Sequence, residues 1–443
     1  MSTSDLSLIA KLQRYKVKRN IAMFKFDYRI EELSKKALEN AKENFNYIEE
    51  ITEYNQQKML KAFIDKGVTE SMFAESTGYG YNDRGREVVD EVFAQAVGAE
   101  DSIVRHNFTC GTHTLTVALF GVLRTGDTML CVSGRPYDTI QPVIGIAKDE
   151  NMGSLKDYGI KYDEVALKDD RLDYEAIEER LKKGDVTMVY IQRSRGYSLR
   201  PTLSVAEIKK VVDITKRVSN AMVMVDNCYG EWTEKIEPTD VGADLMAGSL
   251  IKNPGGGIAK TGGYIAGKKK YVDMCAYRLT TPGLGREVGA TLGHSRELFL
   301  GLFNGPHVVG EALKVACFTA ALFELLGFET TPMKDESRHD IIQAVKLLNR
   351  DNLIAFCQGI QKGSPIDSFV VPEPWPMPGY DSDVIMAAGA FTLGSSIELS
   401  ADAPLREPYA VWLQGGLNFH SGKISVMYAA ENVLKVLDKE GNK

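Results

Sequence analysis

The sequence predicts an α/β fold with a large, mostly parallel sheet and a smaller C-terminal α+β domain. Short apolar segments at 102–108, 128–133, 187–194 and 222–227 alternate with segments whose apolar residues recur at helical spacing, such as 172–183 and 205–218. This alternation is typical of βαβ crossovers, which build parallel sheets covered by helices on both faces. Because such sheets bind ligands at the carboxyl ends of their strands, we expect the functional site there.

The 443 residues are enough for two or three domains. We predict an N-terminal helical arm over residues 1–70, a large α/β domain over 71–300 and a smaller domain over 301–443. Apolar residues at helical spacing over 27–66 predict one long amphipathic helix in the arm. Alternate prolines in VPEPWPMPGY, at 371–380, predict an extended loop in the smaller domain.

Composition and charge limit the classes of function. With 44% hydrophobic and 26% charged residues, the chain has the composition of a globular enzyme. A formal charge of -7 argues against a nucleic-acid partner, which requires a clustered basic surface. No apolar stretch approaches the roughly 18 residues of a membrane span, and the N-terminus lacks the apolar region of a signal peptide. These features predict a cytoplasmic protein that does not bind a membrane.

The cysteines and histidines predict neither disulfides nor a metal site. The six cysteines are widely spaced without a C-x-x-C pair, which predicts free thiols in a reducing compartment. Cys110 and Cys131 lie in apolar segments, so we expect both to be buried. The histidines show no metal-ligand spacing.

The segment 222–263 carries the clearest chemical signal. Lys252 follows an apolar segment that ends at Ser249, and a lysine in such a place is costly to desolvate unless its amine has a function. We interpret that function as an imine bond to a cofactor. Asp226 ends the preceding strand-like segment, where it is either a turn residue or the partner of a ring nitrogen.

Two other strand ends carry candidate cofactor contacts. In CGTHT the backbone N–H groups of Gly111 and Thr112 open a predicted helix, which makes either an anion site or an ordinary helix cap. His113 beside them is interpreted as a cap or surface group. Tyr137 follows another predicted strand and offers a ring face for stacking.

A serine acyl-transfer enzyme is the main alternative from the motifs. Ser249 and Lys252 form an S-x-x-K motif, and residues 260–262 form K-T-G. The nucleophilic serine of such enzymes opens a helix, whereas here Asn253, Pro254 and three glycines follow at once. The S-D-N motif and an export signal are also missing from the sequence, so this alternative is disfavoured.

Four segments resemble a known family: VDNCYGE, GSLIKNPGGGIAKTGGYIAG, RLTTPGLGREVGATLG and FTLGSSIELSADAPLREPY. They are similar to the methionine gamma-lyase family, also called aluminium-resistance proteins, which belongs to the fold-type I pyridoxal 5'-phosphate (PLP) enzymes and is related to the cystathionine lyases. The resemblance covers residues 79–432, and the segment around Lys252 is its most specific part.

The resemblance implies roles for individual residues. Lys252 matches the lysine that binds PLP covalently and moves protons, Asp226 the acid beside the ring nitrogen, and Tyr137 the stacking tyrosine; these three are the predicted catalytic residues. Ser249, Gly111 and Thr112 match phosphate contacts, although cystathionine lyases have Ser-Gly-Met at the turn. The remaining matches are Tyr79, Tyr81 and Arg84, lent by a neighbouring subunit to the phosphate, and Arg406, which binds the substrate carboxylate.

The function implied is PLP-dependent cleavage of a sulfur amino acid of the methionine or cystathionine type. β- or γ-elimination then yields a 2-keto acid, ammonia and a thiol, in a homodimer or homotetramer with shared active sites. A cation near Lys252 is expected to keep its amine available near neutral pH. The alternatives are a PLP-dependent aminotransferase, a racemase or aldolase-type enzyme, or a PLP-binding stress protein with weak activity.

Overall fold

The computed structural model describes residues 23–147, 152–377 and 382–441. The first two helices are α1 (Tyr28–Asn40) and α2 (Lys42–Asp65). The prediction of one continuous helix over 27–66 is therefore wrong at Ala41, whose ψ of -7° departs from the helical value. The first 22 residues of the predicted arm lie outside the described residues.

The large sheet is built by alternating strands and helices, as the apolar pattern predicts. Its strands run in the order β1-β7-β6-β5-β4-β2-β3, and the neighbouring pairs from β6 to β3 are parallel, whereas β7 is antiparallel to β6 and β1. The elements are α3 (Arg84–Ala96), β1 (Asp101–Arg105), α4 (Gly111–Val122), β2 (Thr128–Cys131), α5 (Gln141–Ile144), β3 (Lys161–Glu164), α6 (Tyr174–Leu181), β4 (Met188–Gln192), α7 (Val205–Val218), β5 (Met222–Asp226), β6 (Leu245–Ser249) and β7 (Gly263–Gly267).

The central strands β2, β4, β5 and β6 are buried along their whole length. Burial of both faces explains their continuous apolar sequences, because the parallel sheet has helices on each side. The edge strand β3, in contrast, has no buried residue. The predicted fold class, an α/β protein with a mostly parallel sheet, is confirmed.

The C-terminal part forms a second sheet. Five antiparallel strands run in the order β10-β11-β12-β9-β8. The elements that follow β7 are α8 (Lys269–Leu279), α9 (Ser295–Leu325), β8 (Glu329–Thr331), β9 (Ile342–Lys346), α10 (Arg350–Lys362), β10 (Val384–Ala387), β11 (Ser400–Pro404), β12 (Ala410–Gln414) and α11 (Phe419–Gly441).

Side chains alternate between the two faces of the second sheet, and this alternation positions part of the site. On β12, Val411 and Leu413 join the main hydrophobic core. Ala410 and Trp412 point to the other face, where they pack in a small cluster with Ile342, Tyr197 and Tyr229. Since successive strand residues point to opposite faces, this second face turns toward the large sheet.

The predicted Pro-rich loop contains no helix over 371–377, where Trp375 forms an isolated bridge with Val384, and residues 378–381 lie outside the described residues. All six cysteines are free. Cys110 is exposed, so the prediction that it is buried is wrong; its thiol instead caps α4 by accepting the N–H of His113. Among the described residues, no helix has the length and apolar character needed to cross a membrane.

Candidate active site

A cavity of about 230 Å³ lies where the strand ends of the large sheet meet the second sheet. Five of the predicted site residues line it: Gly111, Thr112, Tyr137, Asp226 and Lys252. They reach it from segments that follow β1, β2 and β6 and from the last residue of β5. The convergence arises because parallel strands end at the same edge of the sheet, as the strand pattern predicts.

Asp226 is held by neutral donors. The backbone N–H of Cys228 donates to its Oδ1 at 3.1 Å, and the hydroxyl of Tyr190 donates to its Oδ2 at 3.4 Å. Burial raises the pKa of Asp226, and the nearby charge of Lys252 opposes that shift. The arrangement gives a buried acid whose oxygens face the cavity beside the lysine.

Lys252 lies over the ring of Tyr229, with its Nζ 4.0 Å from the ring centroid. Burial opposes the charge on the amine, but the acidic groups of Cys228, Tyr229 and Asp226 outweigh burial and raise the pKa of Lys252. The predicted nearby cation is therefore wrong: among the described residues that line the cavity, Lys252 is the only cation. A raised pKa favours the protonated amine, which must lose its proton before it can act as a nucleophile or base.

The glycines after Lys252 allow the chain to turn back beneath the amine. Gly256 has a φ of +54°, and a Cβ at this position would lie 2.8 Å from the carbonyl oxygen of Gly301. A residue with a side chain would have to move the long helix α9. Asn253 holds the turn in place, because its Nδ2 donates to the carbonyls of Tyr229 and Glu231, each at 2.9 Å.

The first turn of α4 and Ser249 form a cradle with unused hydrogen-bonding groups. The hydroxyl of Ser249 is fully buried and has no partner among the described residues. A Cβ at Gly111 would lie 3.3 Å from the Cβ of Ser249, so the turn and the serine are in close contact. Helix N-termini bind anions through their free N–H groups. An anion seated on this turn gives the buried hydroxyl its missing partner.

Tyr137 and Thr112 are fixed by residues of neighbouring segments. The backbone N–H of Tyr137 donates to Oε1 of Gln192 at 2.7 Å, which ties the Tyr137 loop to the end of β4. The hydroxyl of Thr112 hydrogen-bonds that of Thr139 at 2.7 Å. Gln192 was missed by the sequence analysis, although its position at the end of a buried apolar strand is the signal that identified Asp226.

The second sheet supplies further cavity residues that the sequence analysis missed. We call Ile342, Asp402, Trp412 and Gln414 the second-sheet wall. Asp402 is 7% exposed and accepts hydrogen bonds on Oδ2 from the Tyr197 hydroxyl at 3.1 Å and from Gln414 Nε2 at 2.9 Å. The available signal was a charged residue at an alternate position within the apolar strand SADAP.

Arg406 lies outside this cavity. It lines an adjacent cavity of about 350 Å³ that shares Tyr137, Gln192 and Tyr197 with the first. Arg195 and Arg200 also line this second cavity, which makes it cationic. The role of Arg406 in binding a substrate carboxylate stays a prediction.

Other arginines near the site are already engaged. Arg193 is fully buried and donates to Glu234 at 2.7 Å and to Asn227 at 2.8 Å. Arg286 pairs with Asp101 at 2.8 Å. Neither is available for a substrate carboxylate.

Tyr79, Tyr81 and Arg84 are exposed and do not line the cavity of their own chain. The rings of Tyr79 and Tyr81 stack at 5.5 Å. Exposure of stacked aromatic rings is expected of residues that contact another molecule. Their contribution to a partner's site stays a prediction.

The structure also bears on the serine acyl-transfer alternative. Ser249 is fully buried at the end of β6 and does not open a helix. Lys260 of the K-T-G motif pairs at 2.6 Å with Glu297 on an exposed surface and is absent from the cavity lining. The three motif residues therefore do not form one site.

Comparisons with known proteins agree with this arrangement. A family model described as methionine gamma-lyase matches residues 30–434. The uncharacterized protein YnbB of Bacillus subtilis is 48% identical over 390 residues, which cover 88% of this chain and 92% of YnbB.

Two solved structures are similar over nearly their whole length. One, from Clostridium acetobutylicum, is named a candidate cystathionine beta-lyase involved in aluminum resistance; it is 47% identical, with a TM-score of 0.90 over 98% of this chain and 99% of that one. The other, from Clostridium novyi NT, is named a carbon-sulfur lyase involved in aluminum resistance; it is 48% identical, with a TM-score of 0.89 over 97% and 99%. The fold is that of the fold-type I enzymes.

Proposed function

This chain belongs to the methionine gamma-lyase family, and on that premise we propose that it is a PLP-dependent carbon–sulfur lyase. The substrate is a sulfur amino acid of the methionine or cystathionine type, which reacts with water to give a 2-keto acid, ammonia and a thiol. The observation that carries the proposal is the convergence of Lys252, Asp226 and Gly111 on one cavity, with the unpartnered hydroxyl of Ser249 in contact with the Gly111 turn.

The residues present fit the cofactor at its aldehyde, its ring nitrogen and its phosphate. Lys252 offers the amine for the covalent bond, and the acid of Asp226 suits a ring nitrogen. Ser249 and the first turn of α4 suit the phosphate, and Tyr137 offers a ring face. When bound, PLP supplies an electron sink for the negative charge that develops on the substrate Cα.

The chain's own residues position and move protons. Asp226 holds a proton at the ring nitrogen, which is favoured because Tyr190 and Cys228 fix the orientation of the carboxyl group. Lys252, once neutral, removes the proton from Cα, and for a γ-leaving group a second proton leaves Cβ. Tyr229 stacks under the amine and holds it toward the cavity.

A second copy of this chain is the partner that completes the site. A phosphate carries nearly two negative charges at pH 7, and the cradle offers it only N–H groups and hydroxyls from the described residues. Arg84 is exposed and lies three residues after Tyr81, whose ring stacks on that of Tyr79. An arginine from a neighbouring subunit supplies the missing positive charge, as in a homodimer or homotetramer.

The test combines cofactor loading with product analysis. Chain purified with PLP is reduced with borohydride, and mass spectrometry should find the cofactor on Lys252. A second sample, loaded with PLP but not reduced, is supplied with methionine, cystathionine, cysteine and homocysteine while thiol and keto acid are both measured. Lys252→Ala should abolish the adduct and both products. The matched control, Lys260→Ala, removes an exposed lysine of the same segment and should change neither.

Two outcomes would contradict the proposal. If the adduct still formed in Lys252→Ala, Lys252 would not be the residue that binds PLP covalently. A keto acid that forms without thiol, and only when a second keto acid is added, would make the protein an aminotransferase.

A further inference from the structure

Asp402 is a buried carboxylate for which the proposed chemistry has no use. It lines the same cavity as Lys252 but comes from the other sheet. Its Oδ2 accepts two hydrogen bonds, from Tyr197 and Gln414, and both donors are neutral. Its Oδ1 has no donor among the described residues, and no ion pair involving Asp402 is found among them.

At the second-sheet wall, the cavity therefore has a buried carboxylate without a cation to pair with it among the described residues. Its charged lining side chains, among the described residues, are Asp226, Lys252 and Asp402. Asp226 and Lys252 carry opposite charges, and each favours the charged form of the other. Asp402 has no such partner, and a buried carboxylate is costly unless a cation or strong donor meets it.

Aromatic rings flank the unpaired carboxylate. The ring of Tyr197 lies 5.4 Å from that of Trp412, and 5.9 Å from that of Tyr137. Trp412 is paired directly across from Asp402 in the second sheet, so both side chains stand on the cavity face. A carboxylate beside aromatic faces is the environment that attracts an ammonium group through charge and cation–π interactions.

We propose that Asp402, Tyr197 and Trp412 bind an ammonium group on the leaving-group side of the substrate. The inference rests on the proposed lyase function and deepens it: the preferred substrate is a thioether amino acid whose departing thiol carries its own amino group. Cystathionine has such a group, and methionine does not. A carboxylate of the substrate is repelled from this wall and is placed toward the adjacent cavity, which the exposed Arg406 lines.

The reaction balances without an added reagent. A thioether RS–CH₂–CH(NH₃⁺)–COO⁻ takes up water, breaks its Cβ–S bond and yields RSH, pyruvate and an ammonium ion. The sulfur leaves with the electron pair of the C–S bond and takes a proton. Asp402 takes no part in these bond changes, because it binds only the distal ammonium in R.

Matched ligands make the test independent of cleavage. L-Lysine and L-2-aminoheptanoate have side chains of equal length, one ending in an ammonium and the other in a methyl group. Binding of each to the PLP-loaded protein is measured by calorimetry. We expect the ammonium ligand to bind at least about tenfold more tightly, as one charge-assisted hydrogen bond provides. Asp402→Asn should abolish that preference and leave the affinity for 2-aminoheptanoate within about twofold.

Cleavage is compared with a second matched pair, S-(2-aminoethyl)-L-cysteine and S-propyl-L-cysteine, by release of thiol. The ratio of their kcat/KM values should fall about tenfold in Asp402→Asn. Trp412→Leu keeps the carboxylate but removes an aromatic ring, so it should reduce the ratio by a few-fold. This variant tests the proposal if Asp402→Asn does not fold. Asp213→Asn is the control, since Asp213 is exposed and paired with Lys209.

Three results would overturn the inference. The native protein could bind L-lysine and L-2-aminoheptanoate equally, it could bind L-2-aminoheptanoate more tightly, or the variants could lose the same factor of affinity for both. Failure of the lyase function gives a different pattern. The ammonium preference would then persist in calorimetry while no thiol is released from any substrate.

Discussion

We call Gly111, Thr112, Asp226 and Lys252 the first-sheet wall of the cavity. These residues lie at or just beyond the ends of strands, in contrast to those of the second-sheet wall. The second-sheet wall is carried instead by residues that lie across from one another on one face of the second sheet. Ser400 and Asp402 face Gln414 and Trp412 across the β11–β12 pair, and Gln414 faces Ile342 across the next. A strand end is visible in a sequence, whereas cross-strand partners become neighbours only through the register of the sheet.

This difference separates two kinds of function. The first-sheet wall presents an acid, an amine and an anion cradle, which are the groups that a fixed cofactor needs. The second-sheet wall presents one carboxylate and aromatic rings, to which we assign the discrimination among ligands. We therefore expect substitutions in the first wall to affect all substrates equally, and substitutions in the second to change the ratio between substrates.

Among substitutions in the first-sheet wall that keep Lys252, the largest effect is expected from Asp226→Asn. Loss of the acid removes the proton held at the ring nitrogen, so kcat should fall about a thousandfold for every substrate, within the range for one acid–base group. Steady-state thiol release measures it, with Asp213→Asn as the exposed control. An effect restricted to some substrates would show that Asp226 affects specificity, and the two walls would then not differ in function.

The rate of cofactor attachment should rise with pH. The pKa of Lys252 is raised, because its acidic neighbours outweigh burial, so the neutral amine is the minor form at neutral pH. At pH values below that pKa, the neutral fraction of the amine rises about tenfold with each unit of increase in pH. Stopped-flow absorbance of the cofactor-free protein mixed with PLP should show this slope between pH 7 and 9. A rate independent of pH would mean that the amine is already neutral.

Ser249→Ala should weaken PLP binding about tenfold, the value of one hydrogen bond to a charged group. It should not lower the melting temperature of the cofactor-free protein, because the hydroxyl has no partner among the described residues. Ser425→Ala is the matched control: its buried hydroxyl donates to the carbonyl of Gly363 at 2.9 Å, so its loss should lower the melting temperature and leave PLP affinity unchanged. The opposite pattern would make Ser249 a structural residue.

The smallest effect concerns stability in the second-sheet wall. Burial raises the pKa of Asp402 to about 6, above its ordinary value of 3.8. The folded state therefore holds a proton that the unfolded chain has lost, and Asp402 lowers stability as pH rises from about 4 to 6. Burial raises the pKa values of its neighbours Tyr229 and Cys357, so both stay neutral in this window.

Asp402→Asn removes that penalty. Relative to the native protein, the cofactor-free variant should become more stable by roughly 1 kcal/mol as pH is raised from 5 to 7, part of the linkage energy expected for such a shift. Denaturant melts at the two pH values measure it. A difference that does not change with pH would show that Asp402 is already ionised at pH 5, with a cation nearby.

Sequence alone determined the fold class and much of the first-sheet wall. The apolar pattern located the central strands, and the residues that end or follow them, Asp226 and Lys252, lie together because parallel strands end at one edge. The family resemblance added the roles of these residues. Local patterns were sufficient here because each feature lies within a few residues of its strand.

Tertiary structure decided what local patterns do not encode. The chain interrupts its first helix at Ala41, exposes Cys110 as a helix cap and surrounds Lys252 with acidic groups and no second cation. It also brings Asp402 and Gln414 to the cavity from strands of another sheet. The physical reason is the same in each case: burial and charge depend on the residues packed from distant parts of the chain, and these become neighbours only when the sheets and helices assemble.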